Sequence, residues 1–75
     1  MQPYSKYLLR YVRFAIGKKI HHLREERGWS SRHLSLMSSV SERLIDRYEI
    51  GNHDITVQHL LRIACAFGVD IQEFI

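Results

Sequence analysis

Glu42, Arg43, Asp46 and Arg47 recur at helical spacing inside the run VSERLIDRYEIG (residues 40–51), with Leu44, Ile45 and Tyr48 interleaved. A step of about 100° per residue places the three apolar residues on one side of a helix and the four charged ones on the other. The charged side carries the chemistry of a base-edge reader. Arginine can donate twice to guanine, and a carboxylate can accept from the amino group of cytosine. The same pattern also suits a solvated face with intrahelical pairing, so the flanking elements have to decide.

Those elements are legible from their ends. Gly28, Gly51 and Gly68 each follow an amphipathic run, where a helix closes on a left-handed residue. Ser30, Ser41, Thr56 and Asp70 each precede such a run as N-cap candidates, and Asp70 with Glu73 has the spacing of a capping box. Five helices follow, and no segment alternates with period two, so the fold class is all-α. The first helix ends near Arg27 and carries Ile16, Ile20 and Leu23 inward. It begins near Ser5 as one long helix, or a separate helical turn precedes Gly17. The second spans about 31–38, with Leu34 and Met37 inward, and the third about 42–50. The fourth spans about 57–67 with an apolar stripe of Leu60, Leu61, Ile63, Ala64 and Phe67, in which Cys65 packs as a small hydrophobe. A short fifth helix holds Ile71 and Phe74. Helices two and three are joined by Ser39-Val40-Ser41, with Val40 pointing inward, and a longer helix covers them from one side. That is a helix-turn-helix, and it favours the groove reading of the charged face over the solvated one.

Seventy-five residues make one small domain, with no room for a deep pocket and a lid. The expectation is a protein that is not an enzyme: no catalytic triad, phosphate loop or paired catalytic carboxylates are discernible. The five histidines lack the i, i+4 spacing of a helical zinc site, so neither a metal nor another cofactor is expected. No apolar run comes near the roughly 20 residues of a membrane span. The lone Cys65 excludes an internal disulfide and suits a reducing cytoplasm. The net charge of +3 is uneven, because residues 1–20 contain Lys6, Arg10, Arg13, Lys18 and Lys19 and no acid. A basic segment of this kind can track phosphates or simply solvate a helix.

From about Phe14 to Phe74 the chain resembles the Cro/phage-repressor-like (Xre-type) helix-turn-helix family. The matching residues are Ile16-Gly17-Lys18-Lys19-Ile20, Leu23 to Ser30 (LREERGWS), Leu34, Val40-Ser41, Ile45, Glu49 and Gly51. They continue through Leu60 to Ala64 (LLRIA), Ala66 to Val69 (AFGV) and Glu73-Phe74, about four-fifths of the chain. The resemblance implies a compact five-helix lambda-repressor-like domain over residues 14–75, with residues 1–13 as a basic and apolar extension of the first helix. It implies a DNA-binding transcriptional regulator, by family habit a repressor, acting as a homodimer on a palindromic operator. Helix three would enter the major groove of double-stranded DNA. Glu42, Arg43 and Arg47 would face the bases, with Asp46 on the same side, and Ser30, Ser31, Arg32, Ser41, Asn52 and His53 would lie along phosphates. It also implies a buried ion pair between Arg24 and Glu49. Three departures stand out: Ser31 replaces the usual glutamine opening helix two, Ser39 replaces the turn glycine, and Glu42 and Asp46 bring carboxylates near DNA.

The extension is the least familial part. Tyr4, Tyr7, Leu8, Tyr11 and Val12 form an apolar stripe too long for a small core to cover, which marks a partner site. A dimer seam or a second protein would fit it, and lying on a membrane surface is a third, lesser option. The competing reading of the whole chain is therefore a protein-interaction module on the same fold, antitoxin-like or an anti-regulator.

Overall fold

The computed structural model describes residues 6–75. They form α1 (Lys6–Glu26), α2 (Ser31–Ser38), α3 (Glu42–Glu49), α4 (Val57–Phe67) and a closing 3-10 turn (Ile71–Phe74), with no strand among them. Of the two starts considered for α1, the helix takes the continuous one: it runs unbroken from Lys6 through Gly17, and the division drawn at residues 13 and 14 falls inside it.

The helix ends follow from their capping residues. The side chains of Ser30, Ser41 and Thr56 accept from the amides of His33, Leu44 and His59, three residues on in each case. Gly28 and Gly68 sit at φ 68° and 71° and close α1 and α4. After Gly28, the amide of Trp29 donates back to the carbonyl of Arg24 at 2.9 Å, satisfying a carbonyl the helix leaves open.

The expected fifth helix is instead a single 3-10 turn. Asp70 accepts from the amide of Gln72 rather than forming a box with Glu73, and the amide of Glu73 bonds to the Asp70 carbonyl at 2.9 Å. Ile71 and Phe74 are the only apolar side chains the turn has to bury. Their three-residue spacing aligns on one edge of a 3-10 turn, which removes any need for a wider helix.

The core lies where the helices meet. Ile20 and Leu23 of α1, Leu34 of α2, Ile45 and Tyr48 of α3, and Ile63 and Phe67 of α4 are buried together, with Val40 inserted from the turn. Two inward assignments are corrected. Met37 is 53% exposed, and Ser38 takes the inward position in its place. In an eight-residue helix the buried line runs from Leu34 to Ser38, one turn on, and the Ser38 hydroxyl is satisfied there by donating to the Leu34 carbonyl at 2.7 Å. On α4, Leu61 and Cys65 are exposed. They lie roughly 100° or more around the helix from Leu60, Ile63 and Phe67, outside the packed sector.

α1 meets α3 closely because residue 17 is glycine. A Cβ there would fall far inside contact distance of the Tyr48 carbonyl oxygen and 2.9 Å from that of Glu49. Gly51 combines a φ of 77° with an approach in which a Cβ would meet the Phe14 Cα at 3.1 Å. These two contacts set α1 across the C-terminal end of α3.

Candidate nucleic-acid interface

The α2–turn–α3 unit is held from within. Ser39 adopts φ 60°, ψ 26°, a left-handed conformation in a residue that carries a Cβ. Its amide donates to the Ser35 carbonyl at 2.9 Å, while Val40, 1% exposed, anchors the turn in the core. Ser38 secures the same corner, accepting from the Val40 amide at 3.2 Å.

Anchored through Ile45 and Tyr48, α3 turns Glu42, Arg43, Asp46 and Arg47 to solvent, and all four are exposed. Arg43 and Arg47 stand one helical turn apart, close enough to act on neighbouring base pairs. Asp46 differs from the other three because its Oδ1 accepts from the Ser31 hydroxyl at 2.8 Å, joining the middle of α3 to the first residue of α2.

Of the residues expected along phosphates, Ser30 and Arg32 are exposed at the head of α2, where Ser31 is half-buried, and Ser41 is exposed as the cap of α3. Past its end, Asn52 and His53 are exposed; the Asn52 amide donates to the Arg47 carbonyl at 3.4 Å, and the His53 ring tilts against Tyr48.

Behind this surface, Arg24 and Glu49 lock α1 to the end of α3. Arg24 Nε donates to Glu49 Oε2 at 2.7 Å and Nη2 donates to Oε1 at 2.9 Å, while Nη1 donates to the Trp29 carbonyl at 2.8 Å. Their side chains are only 14% and 8% exposed. Burial on its own would push the Glu49 carboxyl up; hydrogen bonds from Arg24 and His21 outweigh it and hold the group below its ordinary value. The bond to Glu49 raises Arg24 above its ordinary range, against the opposing effect of burial. Tyr48, which burial pushes up, has its hydroxyl 2.7 Å from His59 Nδ1.

Several contributors carry no local sequence signal. His21 joins the ion pair, with Nδ1 2.8 Å from Glu49 Oε1 and Nε2 2.9 Å from Glu25 Oε1. Its spacing from Arg24 and Glu25 places it on that side of α1, but only the fold brings Glu49 within reach. Arg27 donates to the Phe67 carbonyl at 2.9 Å and lies over the stacked rings of Trp29 and Phe67. Of the apolar stripe on α1, Tyr7, Leu8, Tyr11 and Val12 are exposed, whereas Tyr4 lies outside the described residues. No described helix is long and apolar enough to cross a membrane.

A family model described as helix-turn-helix matches residues 20–74. Over 59 residues the chain is 37% identical to the HTH-type transcriptional regulator RamB of Mycobacterium tuberculosis, in both strain CDC 1551 / Oshkosh and strain ATCC 25618 / H37Rv. That match covers 79% of this chain and 12% of the relative, so the chain spans about an eighth of the length of those curated proteins. The fold is shared with the restriction-modification controller protein C.AhdI from Aeromonas hydrophila, at a TM-score of 0.81 and 21% identity, covering 84% of this chain and 96% of that one.

Proposed function

This chain belongs to the helix-turn-helix family, of the Cro/phage-repressor-like (Xre) type, and we propose that it binds double-stranded DNA sequence-specifically as a transcriptional regulator. The observation that carries this reading is the placement of Arg43 and Arg47. Both are exposed, one turn apart, on a helix whose other face is buried and whose two ends are pinned by Ser41 and by the Arg24–Glu49 pair. A rigid helix presented in this way can lie in a major groove with its arginines at guanine edges and Glu42 at a cytosine amino group. Ser30, Ser31, Arg32 and Ser41 on one side, and Asn52 and His53 on the other, then flank the groove as phosphate contacts. The transcriptional regulator RamB supports the regulatory role. We further propose a homodimer that represses from a palindromic operator, with half-sites about 34 Å apart, one DNA turn.

The test is selection of bound sequences from a random duplex pool, followed by R43A and R47A on the selected site. Each replacement should erase preference at one position, a loss of about 1–3 kcal/mol per bidentate contact, with the fold unchanged. Undiminished discrimination between selected and scrambled duplexes in both variants would sink the assignment.

One observation favours a second reading, in which the main partner is another protein. Tyr7 and Tyr11 on α1 are 76% and 66% exposed, a strongly apolar surface for a domain this small. A groove binder weakens steeply as salt rises, whereas a protein-interaction module has no duplex affinity to lose.

A further inference from the structure

The charged outer face of α3 ends on an aliphatic residue. Ile50, the C-cap, keeps right-handed helical dihedrals (φ −84°, ψ −4°) and donates its amide to the Asp46 carbonyl at 3.2 Å, so it continues the spiral for one more position. At about 100° per residue its side chain points within about 20° of Arg43 and about 60° from Arg47. From Ile45 and Tyr48, the buried residues of α3, it diverges by about 140° and 160°. Ile50 is 68% exposed and, among the described residues, takes no part in the core, so the fold buries too little of it to account for an apolar side chain. A lone exposed apolar residue is ordinary on a protein surface. This one stands in the row of Arg43 and Arg47, at i, i+4 and i+7. Phe14 of α1, also exposed, lines the same groove of about 430 Å³ between α1 and α3, so the apolar spot continues across both helices.

On the premise that the chain binds duplex DNA through this face, we propose that Ile50 reads the C5-methyl group of a thymine. Base pairs show the major groove a pattern of donors and acceptors, and the thymine methyl is the one apolar group among them. An aliphatic side chain offers no hydrogen bond. Against the amino group of adenine or cytosine, or the oxygen of guanine, it strips water and returns nothing. Against the methyl it removes apolar surface from water on both partners. Branching at Cβ leaves the side chain few rotamers, so little freedom is lost on contact. Ile50 lies about 4.5 Å beyond Arg47 along the helix axis, a little more than the roughly 3.4 Å between base pairs. The thymine therefore falls within two pairs of the position read by Arg47, on the side away from the position read by Arg43.

The test isolates a single methyl group. In the duplex selected from the random pool a thymine should occupy that place, and deoxyuridine in its stead deletes the methyl and nothing else. The wild type should bind the deoxyuridine duplex about fourfold more weakly, the value of one buried methyl group. Ile50→Ala should bind the two duplexes equally, and no more tightly than the wild type binds the deoxyuridine one. Its melting temperature should match that of the wild type, because the side chain lies outside the core. Ile50→Val keeps the branched Cβ and should still prefer thymine, which guards against a loss of fold in the alanine variant. Selected sites with no thymine within two pairs of the Arg47 position would overturn the proposal. So would wild-type indifference to loss of the methyl, or an I50A protein that still prefers thymine to uracil. All three results leave the arginine contacts standing. A pool that yields no enriched sequence, with no duplex bound at low salt, would instead remove the premise.

Discussion

Arg24 and Glu49, 25 residues apart in the chain, face each other with two parallel hydrogen bonds of 2.7 and 2.9 Å and join α1 to the end of α3. The contact does more than bridge two helices. It fixes the C-terminal end of the helix that carries Arg43 and Arg47, while Ser41 fixes the other end. Breaking it by Glu49→Ala would leave a guanidinium that is 14% exposed without its carboxylate. The expected loss of stability is on the order of 3 kcal/mol, the cost of an uncompensated buried charge. Denaturant unfolding of E49A measures it directly. A change under about 1 kcal/mol would show that the pair behaves as a surface bridge.

The same pair sets a pH dependence whose sign can be worked out. Glu49 is held below its ordinary value of 4.5 in the folded protein, so the unfolded chain binds its proton more readily. The stabilisation is present above that ordinary value and is lost as pH falls through the lower, folded one. Thermal unfolding should therefore show an acid-side decline below about pH 4.5 that is visibly shallower in Glu49→Gln. Parallel acid limbs in the two proteins would rule out Glu49 as its source.

Gly17 should tolerate no side chain. A Cβ would collide with the carbonyl oxygens of Tyr48 and Glu49, which are backbone atoms and cannot rotate aside. Gly17→Ala is expected to reach the upper end of the roughly 1–3 kcal/mol typical of overpacking. It should also weaken duplex binding with Arg43 and Arg47 untouched, because the end of α3 is forced away from α1. An alanine variant with wild-type stability and affinity would mean that the helix contact is looser than the backbone placement implies.

Ser39 gives a prediction of opposite sign. At φ 60° a serine carries strain that glycine does not. Its backbone bond to Ser35 survives the substitution. Ser39→Gly should stabilise the protein by about 0.5–1 kcal/mol, the strain relieved less the extra backbone entropy glycine loses on folding. A melting temperature equal to or below that of the wild type would show that the turn is not strained.

The parts of this structure that could be read from the sequence are those fixed within a few residues. Ser30, Ser41 and Thr56 act within one turn, and Gly28, Gly51 and Gly68 mark helix ends through their own φ. Ile45 and Tyr48 were legible because α3 has charged residues at every outward position. The misassigned residues, Met37, Leu61 and Cys65, are apolar side chains at the margin of a stripe. Which margin is covered depends on the neighbouring helix and not on the period. Ser38 was missed because a buried hydroxyl satisfied by its own helix looks polar in a sequence. The Ser31–Asp46 and His21–Glu49 contacts span 15 and 28 residues and have no local signature.

The exposed flank of α1 bears on assembly. Tyr11 and Val12 border a groove of about 360 Å³ that also includes Ala15, Ile16, Phe74 and Ile75, and Tyr7 continues the apolar surface one turn back. If this surface is the seam of the proposed homodimer, Tyr7→Glu with Tyr11→Glu should give a monomer at concentrations where the wild type sediments as a dimer. Monomer stability should be unchanged, because neither ring belongs to the core. A duplex with two half-sites provides the functional readout. Two linked domains gain effective concentration on it that a single domain lacks, so the double variant should bind the full site no better than one half-site. Equal sedimentation of the two proteins, or an undiminished advantage of the full site, would move the dimer contact elsewhere. It would also return the α1 surface to the protein-partner reading.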